Sequence, residues 1–134
     1  QTLLGQELDE VYEMANAAQH AALGAVVGGG TYLLMCKRLN RKHDFGELLL
    51  CAGVGLLAAG VPDLVEPAST PHHRRIAHSV SAAGVLIKLT LSLCSVRNRE
   101  LEEFHKILVA SAMGGYLSHL VADGCTPRGL PLLN

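Results

Sequence analysis

Six residues of this chain carry the side chains from which metal centres are built, and their spacing is not scattered. His119 and Asp123 stand four apart, His73 and His78 five apart, Asp63 directly follows Pro62, and His20 lies in an alanine-rich stretch. Imidazole and carboxylate are the donors that divalent zinc, manganese and iron accept. Both are costly to bury without a partner, yet the neighbours here are Ala, Gly, Leu and Val. A divalent cation supplies such a partner and, with it, hydrolytic chemistry through acidified water. Zinc, manganese and iron suit such donors almost equally. Each residue also has a plainer role. His20 can be satisfied by a carbonyl, Asp63 can cap a turn, and His119 with Asp123 can form a hydrogen-bonded pair.

The elements that position these groups read as four to five helices and no strand. The first is expected over Glu7–Cys36, acidic at its start as the helix dipole favours. Gly28, Gly29 and Gly30 mark either a bend or a close crossing within it. The second runs from Phe45 to about Gly60. Pro62, Pro67 and Pro71 then predict a rigid loop over Val61–Pro71. A third helix is expected from His72 to Cys94 and a fourth from Arg99 to Ala122, followed by an irregular tail with Pro127, Gly129 and Pro131. Residues four apart on a helix share a face, so His119 and Asp123 can offer two ligands to one ion. His73 and His78 are separated by about 140° around a helix. His73 is therefore placed at the helix start, reaching inward from the loop, and His78 towards the core. Four segments thus each send a ligand type towards one centre, and bundle cores are where such sites are built. His72, His43 and His105 read as solvated.

Composition bounds the rest. The chain has 134 residues, 49% of them hydrophobic, a formal net charge of −1, no Trp and fourteen Gly. That is one domain with one modest core, held by aliphatic and small side chains, and no electrostatic case for a nucleic-acid coat. Lys37, Arg38, Arg41 and Lys42 form a basic cluster, read as a solvated helix end. Cys36, Cys51, Cys94 and Cys125 show no paired spacing and read as small buried hydrophobes, with Cys125 a weak ligand candidate. Gln1–Glu13 is polar and acidic, unlike a signal peptide. Gly46–Val61 is apolar but shorter than the ~20 residues a membrane span needs. Ser79–Val96 is broken by Lys88, and Ala21–Cys36 closely follows His20. Buried helices of a globular bundle are therefore expected, in the cytoplasm or peripheral to the cytoplasmic membrane.

Three ordered elements carry a resemblance to a known family. Val61-Pro62-Asp63 comes first, then His73-Arg74 with His78-Ser79. The third is Gly115-Tyr116-Leu117-Ser118-His119-Leu120-Val121-Ala122-Asp123 with Thr126-Pro127-Arg128-Gly129-Leu130-Pro131-Leu132. Together they resemble the YdjM-like family, described as inner-membrane-associated, LexA-binding, metal-dependent hydrolase candidates. That family is in turn distantly similar to the helical zinc-dependent phospholipase C and single-strand nuclease superfamily. The resemblance covers most of the chain from about residue 20 onward. It implies an all-α, compact bundle of four to five helices with a metal site in the core. It implies His20, Asp63, His73, His78, His119 and Asp123 as ligands of one to two ions, zinc first, with Ser79 orienting His78 and Arg74 contacting phosphate. Val65 replaces the second Asp of the family's P-D-x-D, with Glu66 beside it, and Ala77 stands in place of a usual Thr. Asp63 or Glu66 would then orient the attacking water.

The expected function is a metal-dependent hydrolase cleaving a phosphoester or phosphodiester, its substrate a phosphorylated small molecule, lipid or nucleotide. Two alternatives are a metal-stabilised interaction domain, in keeping with LexA binding, and a membrane-associated protein whose His and Asp residues form an ion path. Small-residue helix faces also suit a homodimer.

Overall fold

Helix boundaries in this chain are set by caps more than by prolines. The computed structural model describes residues 3–65, 79–95 and 102–125, with side chains from residue 16 onward. The first helix, α1, spans Leu3–Arg38 without interruption at the three glycines. It begins earlier than the sequence predicts, so Glu7 falls beyond its first turn. It ends where Asn40 adopts φ 53, a left-handed position that Asn tolerates. There Arg41 N–H bonds Cys36 C=O at 2.9 Å and Asn40 N–H bonds Lys37 C=O at 3.3 Å, the paired closure of a Schellman motif.

Helix α2, Phe45–Ala59, starts at Asp44, whose side chain accepts from Glu47 N–H at 2.9 Å. At its end Gly60 stays right-handed, φ −83 and ψ −13. The chain therefore continues into α3, Val61–Val65, with Leu64 N–H bonding Gly60 C=O at 3.1 Å. This corrects the rigid loop expected from Val61 onward. Pro62 falls in the first turn of α3, where its missing N–H has no helical acceptor to lose. Helix α4, Val80–Leu93, is capped by Ser79, which is extended (φ −87, ψ 151) and accepts from Ala82 N–H at 3.1 Å. Ser79 therefore stands outside helical geometry, where the expected helix over His72–Cys94 would have included it; residues 72–78 lie outside the described residues. Helix α5 spans Glu103–Gly124, a few residues later than predicted at both ends. No strand occurs among the described residues.

The helices run up and down, and α1, α2 and α5 form the packed trio, with α4 laid against α5. Glycine makes the trio possible. A Cβ on Gly28 would lie 2.5 Å from Cys51 O and 2.9 Å from Gly55 Cα, and one on Gly115 would collide with Gly55 O. Backbones touch at these points, as they do wherever small residues line a helix contact. Ser111 adds a buried hydrogen bond from its Oγ to Gly28 O at 3.0 Å, tying α5 to α1. Below this crossing Tyr32, Met35, Cys36, Cys51, Cys94, Ile107 and Ala110 form the apolar core.

One end of the bundle is basic and closed by polar contacts. Tyr32 is fully buried, and its hydroxyl accepts from Asp44 N–H at 2.6 Å. The Asp44 carbonyl at 3.1 Å and Glu47 Oε2 at 3.3 Å are the acceptors for its proton. Arg41 pairs with Glu47 at 2.6 Å and lies over the Phe104 ring. Burial works against the charge on Arg41, but the hydrogen bond and charge of Glu47 outweigh it and hold the guanidinium above its ordinary range. The basic cluster is therefore solvated only in part: Lys37, Arg38 and Lys42 are exposed, whereas Arg41 is not.

The outer faces depart most from expectation. On α2 and α3, Cys51, Gly55, Ala59 and Pro62 are buried along one face, while Leu50, Leu57, Val61 and Leu64 lie exposed on the opposite one. The apolar run Phe45–Val65 is 21 residues long, and its most apolar window has a mean hydropathy of 2.1 and is only 22% buried. Length and composition suffice to cross a membrane. This corrects the expectation that no segment forms a clean span, which rested on ending the run at Val61. Helix α4 has no buried residue, and exposes Val85 and Leu91 by 67% and 66%.

Candidate metal centre

At the end of the bundle opposite the basic cluster, three helices bring imidazoles and carboxylates together. Helices α1 and α5 are held there by the glycine crossing with α2, and α3 continues from the end of α2. Gly24 lies one turn from His20 on α1, and Gly115 one turn before His119 on α5. Because no side chain intervenes at Gly24, Gly55 and Gly115, α1 and α5 approach closely enough for the two histidine rings to meet. Their centroids are 4.2 Å apart at an interplanar angle of 36°.

Around this ring pair the carboxylates close in. Asp123 Oδ1 lies 3.6 Å from His20 Nε2, and Asp123 Oδ2 lies 3.6 Å from His119 Nε2. From α3, Asp63 Oδ1 approaches His119 Nε2 to 3.4 Å. His119 and Asp123 are almost fully buried, His20 is partly buried, and the Asp63 side chain is 56% exposed. Asp63 thus forms the rim of the group and the other three its floor.

The donor set suits a cation. One ligand atom from each of His20, His119 and Asp123 falls within a mutual 4.8 Å. For ligands ~2.1 Å from a tetrahedral ion, neighbouring donor atoms stand ~3.4 Å apart. The imidazole–carboxylate separations of 3.4–3.6 Å, to His20 and His119 from different oxygens of Asp123, are near that edge. They are longer than the ~2.7–2.9 Å of a charge-assisted hydrogen bond. Two nitrogens and a carboxylate oxygen, with a second carboxylate at the rim, are the donors expected of a hydrolytic zinc, manganese or iron centre.

Of the sequence candidates, His20, Asp63, His119 and Asp123 are brought into one group. His73, His78, Glu66 and Arg74 lie outside the described residues, as does His72. Ser79 is buried and serves as the cap of α4. Cys36, Cys51 and Cys94 are buried as expected, whereas Cys125 is exposed rather than packed. His43 and His105 are exposed. Sequence reasoning did not single out the residues that set the spacing of the site, Gly24, Gly55 and Gly115, nor Ser111, which locks α5 to α1. Regular small-residue spacing on α1 (Gly24, Gly28) was the available signal. The Asp44–Glu47 capping pair at the far end had its signal in the D-x-x-E pattern before an apolar run.

Comparison with known proteins identifies the family. No curated protein and no solved structure matches it. The family model described as YdjM inner membrane protein matches residues 14–134, which include all four clustered His and Asp residues. By that match over nearly its whole length, the chain belongs to the YdjM inner membrane protein family.

Proposed function

We propose that the protein is a membrane-embedded, metal-dependent hydrolase acting on a phosphoester or phosphodiester. The observation that carries the reading is the convergence of His20, His119 and Asp123 from two helices, with Asp63 arriving from a third. Such groups are rare in apolar bundles without a functional reason, because each carries a desolvation cost that only a partner offsets. Membrane embedding is supported by the family and by the α2–α3 run. A helix apolar all round is either buried in protein or set in lipid, and here protein covers only one face.

Within this reading His20, His119 and Asp123 hold a divalent cation, zinc first among the candidates. The cation supplies Lewis acidity, acidifying water and polarising a phosphoryl oxygen. Asp63, at the exposed rim, would accept the proton of the attacking water. Asp123, buried and four residues beyond His119, fixes the two imidazoles relative to one another. The phosphoester preference comes from the resemblance to phospholipase C and single-strand nucleases, which also assigns His73 and His78 as further ligands, Glu66 as an alternative base and Arg74 as a phosphate contact.

The test is hydrolysis of bis(p-nitrophenyl) phosphate by detergent-solubilised protein loaded with zinc or manganese, compared with Asp123→Asn. Turnover that depends on the metal and falls at least ~100-fold in the variant supports the reading. Full metal loading without turnover of any phosphoester would make the cation structural and overturn it.

A further inference from the structure

The charge of this molecule is divided along the bundle axis, and the division says which side of the membrane the His/Asp group faces. The α1–α2 turn carries Lys37, Arg38, Arg41 and Lys42. The chain joining α4 to α5 contains Arg97 and Arg99, and Lys106 follows within the first turn of α5. Cys94 at the end of α4 bonds through its Sγ to Lys106 C=O at 3.2 Å and packs with Tyr32, Met35 and Cys36. The end of α4 and the start of α5 therefore lie at the same end of the bundle as the α1–α2 turn. Among the described residues, five of the six Lys and Arg (Lys37, Arg38, Arg41, Lys42 and Lys106) lie at this end, and the sequence adds Arg97 and Arg99 between α4 and α5. The chain between α3 and α4 has Arg74 and Arg75, the segment after α5 has Arg128, and Lys88 lies within α4. Short connections rich in Lys and Arg stay on the cytoplasmic side of a membrane protein.

The distance between the two ends is that of a membrane. His20 to Arg38 on α1 spans about 27 Å, and Phe45 to Asp63 through α2 and α3 spans about the same. The hydrocarbon core is about 30 Å thick. With the basic turn at one boundary, His20 and Asp63 reach the other.

There Asp63 shares its turn with apolar side chains that protein does not cover. Leu64 is 81% exposed and Val65 64%, and Leu57, one to two turns earlier on the same face, is 71% exposed. The rim carboxylate of the site thus sits beside a surface suited to acyl chains, at the depth where headgroups begin.

We propose that the His20–His119–Asp123 group opens on the extracytoplasmic face of the membrane and takes its substrate from the lipid leaflet there. The substrate is an amphiphile whose phosphate-bearing head reaches the site past Asp63, while its tail lies against Leu57, Leu64 and Val65. The phosphate chemistry rests on the hydrolase reading above. The side of the membrane and the lipid contact rest on charge and exposure alone.

Two measurements test it on the whole protein. Cys125 is exposed two residues beyond Asp123, whereas Cys36, Cys51 and Cys94 are buried, so the native chain carries its own reporter. In spheroplasts of an expressing host, a membrane-impermeant maleimide should label Cys125. A Cys125→Ser, Lys42→Cys variant should label only after permeabilisation. The reverse pattern overturns the orientation. In phosphatidylethanolamine nanodiscs, a phospholipid carrying a photoreactive group in its tail should cross-link within residues 57–65. Absence of cross-links there overturns the lipid source. Zinc-loaded protein should also cleave the nanodisc phospholipid with a kcat/KM at least tenfold above that for the water-soluble glycerophosphodiester of the same headgroup. Equal values reject the lipid source and leave the hydrolase reading standing. If neither is cleaved, the hydrolase reading falls, and the cross-link still decides the lipid contact.

Discussion

Replacing Gly55 and Gly53 by alanine, two residues apart on α2, should have opposite effects on stability. Both substitutions gain the same intrinsic helix propensity, about 1 kcal/mol. At Gly53 the added methyl meets nothing within 4 Å, so the gain stands alone. At Gly55 it would collide with Gly24 O and lie 2.8 Å from Gly28 Cα and 3.1 Å from Gly28 N. All three are backbone atoms, so no rotamer change relieves the contact. Ordinary van der Waals contact begins at 3.4 Å, so clearing Gly28 Cα alone parts α1 and α2 by about 0.6 Å, and clearing Gly24 O by more, in a packed interface. Overpacking of this kind costs ~1–3 kcal/mol, and the difference between the two variants isolates it from propensity. Reversible unfolding from dodecylmaltoside into SDS, followed by helical circular dichroism, gives both free energies. The displacement also moves Gly24, one turn from His20, so metal affinity should fall in Gly55→Ala and not in Gly53→Ala. Equal stability of the two variants would refute the claim that backbone contact at Gly55 sets the helix spacing.

Further outcomes follow from individual contacts. Tyr32→Phe removes the acceptor of Asp44 N–H and should lower stability by about 1 kcal/mol in the same SDS titration; no change would mean that water replaces the hydroxyl at no cost. Asp63→Asn, at the exposed rim, should weaken zinc binding roughly tenfold and leave the fold intact, as read by competition with a fluorescent chelator. Asp123→Asn, at the buried floor, should weaken it further still.

How much of this was legible beforehand depended on whether the cause was local. The His119–Asp123 pair could be read directly, because four-residue spacing on one helix is a local geometric fact. His20 stood out as a polar ring among alanines, and Asp63 through the P-D pair. The placement of Asp63 was misread. Pro62 looked like a helix breaker, but the chain does not leave helical geometry at Gly60, so Pro62 enters a first turn that tolerates it. The same misreading ended the apolar run at Val61 and hid its length of 21 residues. The sequence reading puts Ser79 inside a helix because no Pro or Gly stands between His72 and Ala83 to mark a break, whereas its hydroxyl caps α4. The glycine contacts were out of reach for a different reason. Composition says that small residues line helix crossings, but it cannot say that Gly28, Gly55 and Gly115 touch while Gly30, Gly53 and Gly84 face open space. That depends on how three helices are rotated against each other, a non-local outcome.

The central claim is that the His20–His119–Asp123 group holds a metal ion. Its most direct test is metal content per chain, measured by plasma mass spectrometry on protein purified in detergent without chelator or nickel resin. The account predicts at least one equivalent of zinc, manganese or iron in the wild type. It predicts loss of that metal in a His119→Ala variant that keeps its helical circular dichroism. A wild-type protein that remains metal-free after reconstitution, or a His119→Ala variant that keeps its full metal content, would contradict it.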